Sequence, residues 1–130
     1  MYTIATPRTW IDEMFREFER TGTPANFRPS VEVVQVDDGY VLRAELAGVA
    51  KESVKVEVKD KVLGISGERP APAAAKGYRY SEIAYGKFDR RFHLAESIDL
   101  DRVDAKFENG FLEIQLKLKP ELGPRQVSVR

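Results

Sequence analysis

Residues 53–59 read Ser-Val-Lys-Val-Glu-Val-Lys. Val54, Val56 and Val58 fall on one side of an extended chain and Lys55 and Glu57 on the other, because successive side chains of a β-strand point to opposite faces. A segment of this kind has to bury its valine face, so it predicts a strand in a packed sheet. The same period of two continues in both directions. Upstream, Val31–Val36 is followed by Asp37-Asp38-Gly39, a hairpin-type turn signal, and by Tyr40–Leu46, where Leu42, Ala44 and Leu46 alternate with Arg43 and Glu45. Gly48 ends that strand. Downstream, Val62–Ser66 reads as a strand closed by Gly67, and Ile83–Leu94 as another with Phe88, Arg90 and Phe92 on one side. Val103–Phe107 alternates, Asn109-Gly110 turns the chain, and Leu112, Ile114, Leu116 and Leu118 form the buried face of a final strand. Seven or eight short strands separated by turns, with no alternation of strand and helix, predict an all-β protein, an antiparallel β-sandwich.

Two stretches break the pattern. Residues 70–77, Pro-Ala-Pro-Ala-Ala-Ala-Lys-Gly, contain prolines that cannot donate to a ladder and read as a loop within the domain, with Tyr78-Arg79-Tyr80 as a candidate short strand inside it. The first thirty residues instead carry a helical pattern. Trp10, Ile11, Met14, Phe15 and Phe18 line one face of a short amphipathic helix, with Asp12, Glu13, Arg16, Glu17 and Arg20 on the other and Gly22 and Pro24 at its end. That stripe suits either docking on the protein's own core or a sticky surface for partners. The chain therefore divides into an N-terminal arm (1–30), a β domain (31–118) and a polar C-terminal tail (119–130) that finishes Val127-Ser128-Val129-Arg130.

Composition excludes several chemistries. The 130 residues include 21 Lys plus Arg and 21 Asp plus Glu, so no positive surplus exists to release counterions from a nucleic-acid backbone. Cysteine is absent and histidine occurs once, which removes disulfides, thiolate nucleophiles, Cys-ligated metals and imidazole clusters. No apolar run approaches the ~20 residues that span a bilayer, and Met1–Trp10 lacks the features of a secretory signal, so the expectation is a soluble, cytoplasmic protein. Asp99–Asp104 has carboxylates in the manner of a calcium loop, but the sixth position is Asp104 and the twelfth Gly110, where such loops need glycine and glutamate. A solvated turn fits it better. Gly64-Ile65-Ser66-Gly67 falls one residue short of a nucleophile elbow, and His93, the one candidate base, sits between Phe92 and Leu94 in an alternating strand and should face solvent. No catalytic residue and no metal site emerges.

Four ordered motifs carry a resemblance. Ala44-Glu45-Leu46-Ala47-Gly48-Val49 with Lys51-Glu52-Ser53-Val54-Lys55-Val56, Leu63-Gly64-Ile65-Ser66-Gly67-Glu68-Arg69, Gly86–Leu94 and Ala105–Leu112 together resemble the small heat-shock proteins. The resemblance implies an α-crystallin domain, an immunoglobulin-like sandwich, and the activity of an ATP-independent holdase that binds unfolding client proteins without a cofactor. It further implies a bacterial and plant type of loop after Arg69, from which a strand exchanges into a partner to form a dimer. Tyr78, Arg79 and Tyr80 are the candidate exchanging residues, and Arg90 matches an arginine near the dimer interface, although an exposed strand position is also open to it. Clients would meet the Trp10, Ile11, Met14, Phe15 and Phe18 face. Val127 and Val129 would anchor higher oligomers in a groove between the strands bearing Val54, Val56, Val58 and Val103, Ala105, Phe107. Ala47 and Ala95 stand where family members commonly have proline. The alternative is a co-chaperone or adaptor of similar fold that recognises one folded partner.

Overall fold

The computed structural model describes residues 27–120 and 129. Seven strands form two antiparallel sheets: β1 (Val31–Val36), β2 (Gly39–Glu45), β3 (Lys55–Lys59), β4 (Val62–Arg69), β5 (Gly86–His93), β6 (Ile98–Glu108) and β7 (Phe111–Leu118), with a 3-10 turn at Lys51–Ser53. One sheet has the order β1-β2-β7-β6 and the other β3-β4-β5. Leu42, Ala44, Ile98, Leu112, Ile114 and Leu116 from the first sheet and Leu63, Ile65, Phe88 and Phe92 from the second make one buried cluster. The alternation read from the sequence is thus the alternation between core and water, and the sandwich is confirmed. Leu46, Val49 and Leu94 close the cluster from the connections.

The expected strands hold, with corrections at their ends. β4 does not stop at Gly67 but runs through it to Arg69. Gly67 is there for space: a Cβ would lie 2.8 Å from Cζ of Phe88 and 2.9 Å from the Ser53 carbonyl oxygen. Gly39 likewise belongs to β2 rather than to the turn, which Asp37 and Asp38 make alone, and a Cβ on Gly39 would strike the Leu116 carbonyl oxygen at 2.0 Å. β5 begins at Gly86, not Ile83, because the Ala84 carbonyl accepts from the Arg69 side chain and the Ile83 amide donates to Ser81 Oγ. β6 extends back to Ile98, so Asp99–Asp104 is an irregular strand with a register shift between Ile98 and Val103, not a solvated turn. The Asp101 amide donates to Asp99 Oδ1 across that irregularity (3.0 Å). Tyr78–Ser81 forms no strand within the single chain. The Trp10–Phe18 helix and Val127 lie outside the described residues.

Candidate functional site: open sheet edges and the loop clamp

A two-sheet sandwich has four edges, here β1 and β6 of one sheet and β3 and β5 of the other. Among the described residues no further strand pairs with any of them. Edges of this kind present unpaired backbone groups and invite another chain. On β3 and the residue before it, the valines at 54, 56 and 58 are half-buried rather than buried, because an edge strand has a neighbour on one side only. On β6, Val103 and Phe107 are half-buried and Ala105 is exposed. Val54, Val56, Val58, Val103 and Phe107 all pack against the central cluster. Both edges therefore expose apolar side chains that the core covers incompletely. Val129 of the tail is 97% exposed, so neither edge covers it.

The loop between β4 and β5 adds nothing to the core: every residue from Pro70 to Ala84 is exposed. It nevertheless carries Tyr78, Tyr80 and Ile83, exposed to 52%, 79% and 59%. Tyr80 and Ile83 stay largely in water within the single chain. Tyr78 folds back, its ring stacked on Tyr85 (centroids 6.4 Å apart) and its hydroxyl donating to the Pro72 carbonyl. Arg79 is exposed between the two tyrosines.

Arg69 closes the base of this loop, a role the sequence reading did not give it. Its Nε and Nη2 donate to the Ala84 carbonyl at 2.9 and 2.5 Å, and Nη1 donates to the Ala47 carbonyl at 3.2 Å. The guanidinium also lies 3.8 Å from the Phe27 ring centroid and 5.7 Å from that of Tyr85. Its stem covers Gly48, whose φ of +80° suits glycine. The available signal was the position of an arginine at the boundary between a strand and a proline-rich loop.

Arg90 projects from the edge strand β5. It is half-buried, donates from Nη1 to the Pro29 carbonyl at 3.0 Å and lies 5.1 Å from the Phe92 ring centroid. It thereby fastens the segment entering β1 to the opposite sheet.

Across the outer face of the four-stranded sheet, Glu32, Arg43, Glu113 and Lys106 lie in register on β1, β2, β7 and β6. Arg43 Nε is 3.3 Å from Glu113 Oε1, and Nη1 is 3.8 Å from Glu32. The buried Nε lacks hydrogen-bond alignment, so its contact is Coulombic. Lys106 holds its proton more tightly than an ordinary lysine, first through its hydrogen bond to Glu108 and then through the charges of Glu108 and Glu113. Near the first hairpin, Lys117 Nζ donates to Asp38 Oδ2 at 2.7 Å. That bond lowers the Asp38 pKa, against desolvation and with help from the Lys117 and Arg102 charges.

Catalytic geometry does not assemble around the residues weighed for it. His93 is exposed and pairs with Val62 on β4, whereas Ser66 pairs with Asp89, so four residues or ~13 Å of strand separate serine from imidazole. Among the described residues no three His, Asp or Glu side chains come together as a metal site, and no helix is long and apolar enough to cross a membrane.

Comparison with known proteins agrees with this architecture. The 22.7 kDa class IV heat shock protein of Pisum sativum is 40% identical over 101 residues, which cover 73% of this chain and 51% of that protein. The chain thus spans about half the length of the pea relative. Small heat shock protein C2 of Rickettsia felis is 30% identical over 125 residues, covering 92% of this chain and 81% of that one. A small heat-shock protein from Xylella fastidiosa, whose crystal structure reveals a distinct high order structure, superimposes with a TM-score of 0.72 at 30% identity, covering 82% of this chain and 99% of that chain. The sequence model of the Hsp20/alpha crystallin family matches residues 32–130, from the second residue of β1 to the end of the tail. With its motifs, sandwich and relatives in agreement, the chain belongs to the Hsp20/alpha crystallin family, the small heat shock proteins.

Proposed function

We propose that this protein is an ATP-independent holdase that captures unfolding polypeptides and keeps them from aggregating. The observation that carries the reading is the pair of open edges, β3 and β6, whose apolar rows the core covers only in part. An unfolding chain exposes both apolar side chains and unpaired backbone, and a sheet edge with apolar flanks offers partners for both. The Trp10–Phe18 stripe supplies a second apolar surface whose binding requires no specific sequence in the client. Nothing in this recognition needs a phosphate-binding loop, and none occurs in the sequence.

The working unit is a dimer made by exchange of the loop. Tyr78, Arg79 and Tyr80 pair as a strand on a partner's sheet edge, covering tyrosine rings that the single chain leaves exposed, and Arg90 lies close to that contact. The tail then links dimers. Val127 and Val129 sit on one side of an extended segment, as docking between β3 and β6 requires. Burying two valines contributes roughly 3 to 5 kcal/mol, against about 1 to 2 kcal/mol for each residue ordered. One tail therefore holds weakly, and several tails hold a particle together through effective concentration. The family membership and the high order structure named for the Xylella fastidiosa relative support assembly beyond the dimer.

The reading is tested by light scattering from several unrelated heat-aggregating proteins, with and without this one and with and without ATP. Protection of all of them at near-stoichiometric amounts, unaffected by ATP, is expected. Protection of a single client, or of none, would favour an adaptor that recognises one folded partner.

A further inference from the structure

Three segments distant in sequence meet at the Arg69 side chain. Arg69 ends β4 just before the loop, and its two donors to Ala84 fix the loop's other end. The same guanidinium covers Phe27, where the N-terminal arm joins the described domain, and approaches Tyr85, on which Tyr78 of the loop is stacked. A third donor reaches Ala47, in the turn that follows β2. Phe27 itself is held edge-on to Phe88 (5.7 Å), and its amide donates to the Lys87 carbonyl at a long 3.4 Å. Phe27 is buried in the central cluster, where Phe88 and the Arg69 cation flank its ring, while its amide is held by that single long backbone bond. A planar guanidinium can donate to two carbonyls and lay its flat face on a ring at once; a tetrahedral ammonium has no flat face and no fixed fork of donors.

We propose that Arg69 is a positioning residue that couples the exchange loop to the root of the N-terminal arm. The inference rests on the reading of the loop as the dimer-forming element. When a partner holds residues 78–81, the segment Ala84-Tyr85 is already ordered, and the clamp closes on Phe27 at a lower entropic cost. In the separated chain residues 78–81 form no strand, so ordering Ala84-Tyr85 costs the clamp more and the arm root opens more often. Because linkage is reciprocal, loosening the arm root weakens the dimer by the same factor. Loss of the partner and opening of the chain at Phe27 are therefore one linked event.

The experiment uses the full chain, following amide exchange at Phe27 by NMR at protein concentrations that cross the dimer transition, with sedimentation to measure dissociation. In the parent, Phe27 protection rises with the dimer fraction. In Arg69→Lys the dimer dissociation constant is expected to rise about tenfold, and Phe27 exchange becomes fast at every concentration, while amides of β2, β4 and β7 exchange as in the parent. Parent-like dimerisation and concentration-dependent Phe27 protection in Arg69→Lys would overturn the coupling. Faster exchange throughout the strands would overturn it as well, making Arg69 a general stability residue. A chain with residues 72–81 replaced by a Gly-Ser turn separates the two readings. Persistent dimers there sink the loop reading itself, whereas monomers there beside an unaltered Arg69→Lys sink the clamp alone. Phe27→Leu gives a second variant if Arg69→Lys misfolds: the coupled system weakens its dimer several-fold, and an unchanged dimer contradicts it.

Discussion

Lys61 holds a left-handed backbone conformation (φ 64°) beside Asp60 (φ 52°), together making the two-residue turn between β3 and β4. Positive φ at both positions matches the twist of the flanking strands, which is why Asn109-Gly110 uses the same geometry between β6 and β7. Lysine, however, has a Cβ that disfavours it. Its compensations are a carbonyl that accepts from the Leu94 amide (2.7 Å) and an ion pair with the exposed Glu96. Relief of about 1 to 2 kcal/mol of left-handed strain exceeds the added chain entropy of glycine and the small worth of an exposed ion pair. Lys61→Gly should therefore stabilise the domain by about 0.5 kcal/mol and raise the Tm by about 2 °C in a calorimetric scan. Asp38 makes a prediction in pH. Its folded carboxyl titrates below the ordinary range because Lys117 donates to it. The stability from this bond is complete above about pH 4 and fades as pH falls through the lowered folded value. Asp38→Asn should be less stable than the parent at neutral pH in denaturant titrations, with the difference closing in acid. A difference independent of pH would place the effect elsewhere.

At the scale of elements, the proposed assembly roles fall on the loop and the tail. Replacing residues 72–81 by a short Gly-Ser turn should leave the melting profile of the β domain almost intact, since no residue from Pro70 to Ala84 is buried, and should yield monomers in sedimentation. Dimers at low micromolar concentration would contradict the exchange. Val127→Ser combined with Val129→Ser should shift the sedimentation distribution toward dimers, and an unaltered distribution would mean that the tail does not anchor assembly. The strands were legible from the sequence because burial alternates with the pleat: Leu112, Ile114 and Leu116 are buried on β7, with Glu113 and Gln115 pointing away from the core. Their ends were less legible. Gly67 and Gly39 were read as punctuation, although both serve close packing inside strands, and the residues they approach, Phe88 and Leu116, are remote in sequence. The late start of β5 was invisible for the same reason. Ile83 continues an apolar pattern on paper, but the next residue, Ala84, has its carbonyl engaged by Arg69, a side chain far back along the chain that no local pattern announces.

For the whole molecule, equal numbers of acidic and basic residues leave no net charge to steer partners, and the proposed contacts between chains are those of apolar surface and backbone pairing. The sandwich keeps its own core satisfied: no polar or charged residue is among those buried in the described domain. The apolar surface it leaves partly or wholly uncovered includes the edges β3 and β6 and the rings of Tyr78 and Tyr80. If the proposed assembly holds, weak and repeated contacts of this kind favour a concentration-dependent mixture of dimers and larger particles. The most direct measurement is the scattering of several unrelated client proteins heated with this protein at near-stoichiometric amounts, with ATP present and absent. Suppression of scattering for all clients, identical in both conditions, is the expected result; aggregation that proceeds unchanged, or protection that requires ATP, would contradict the account.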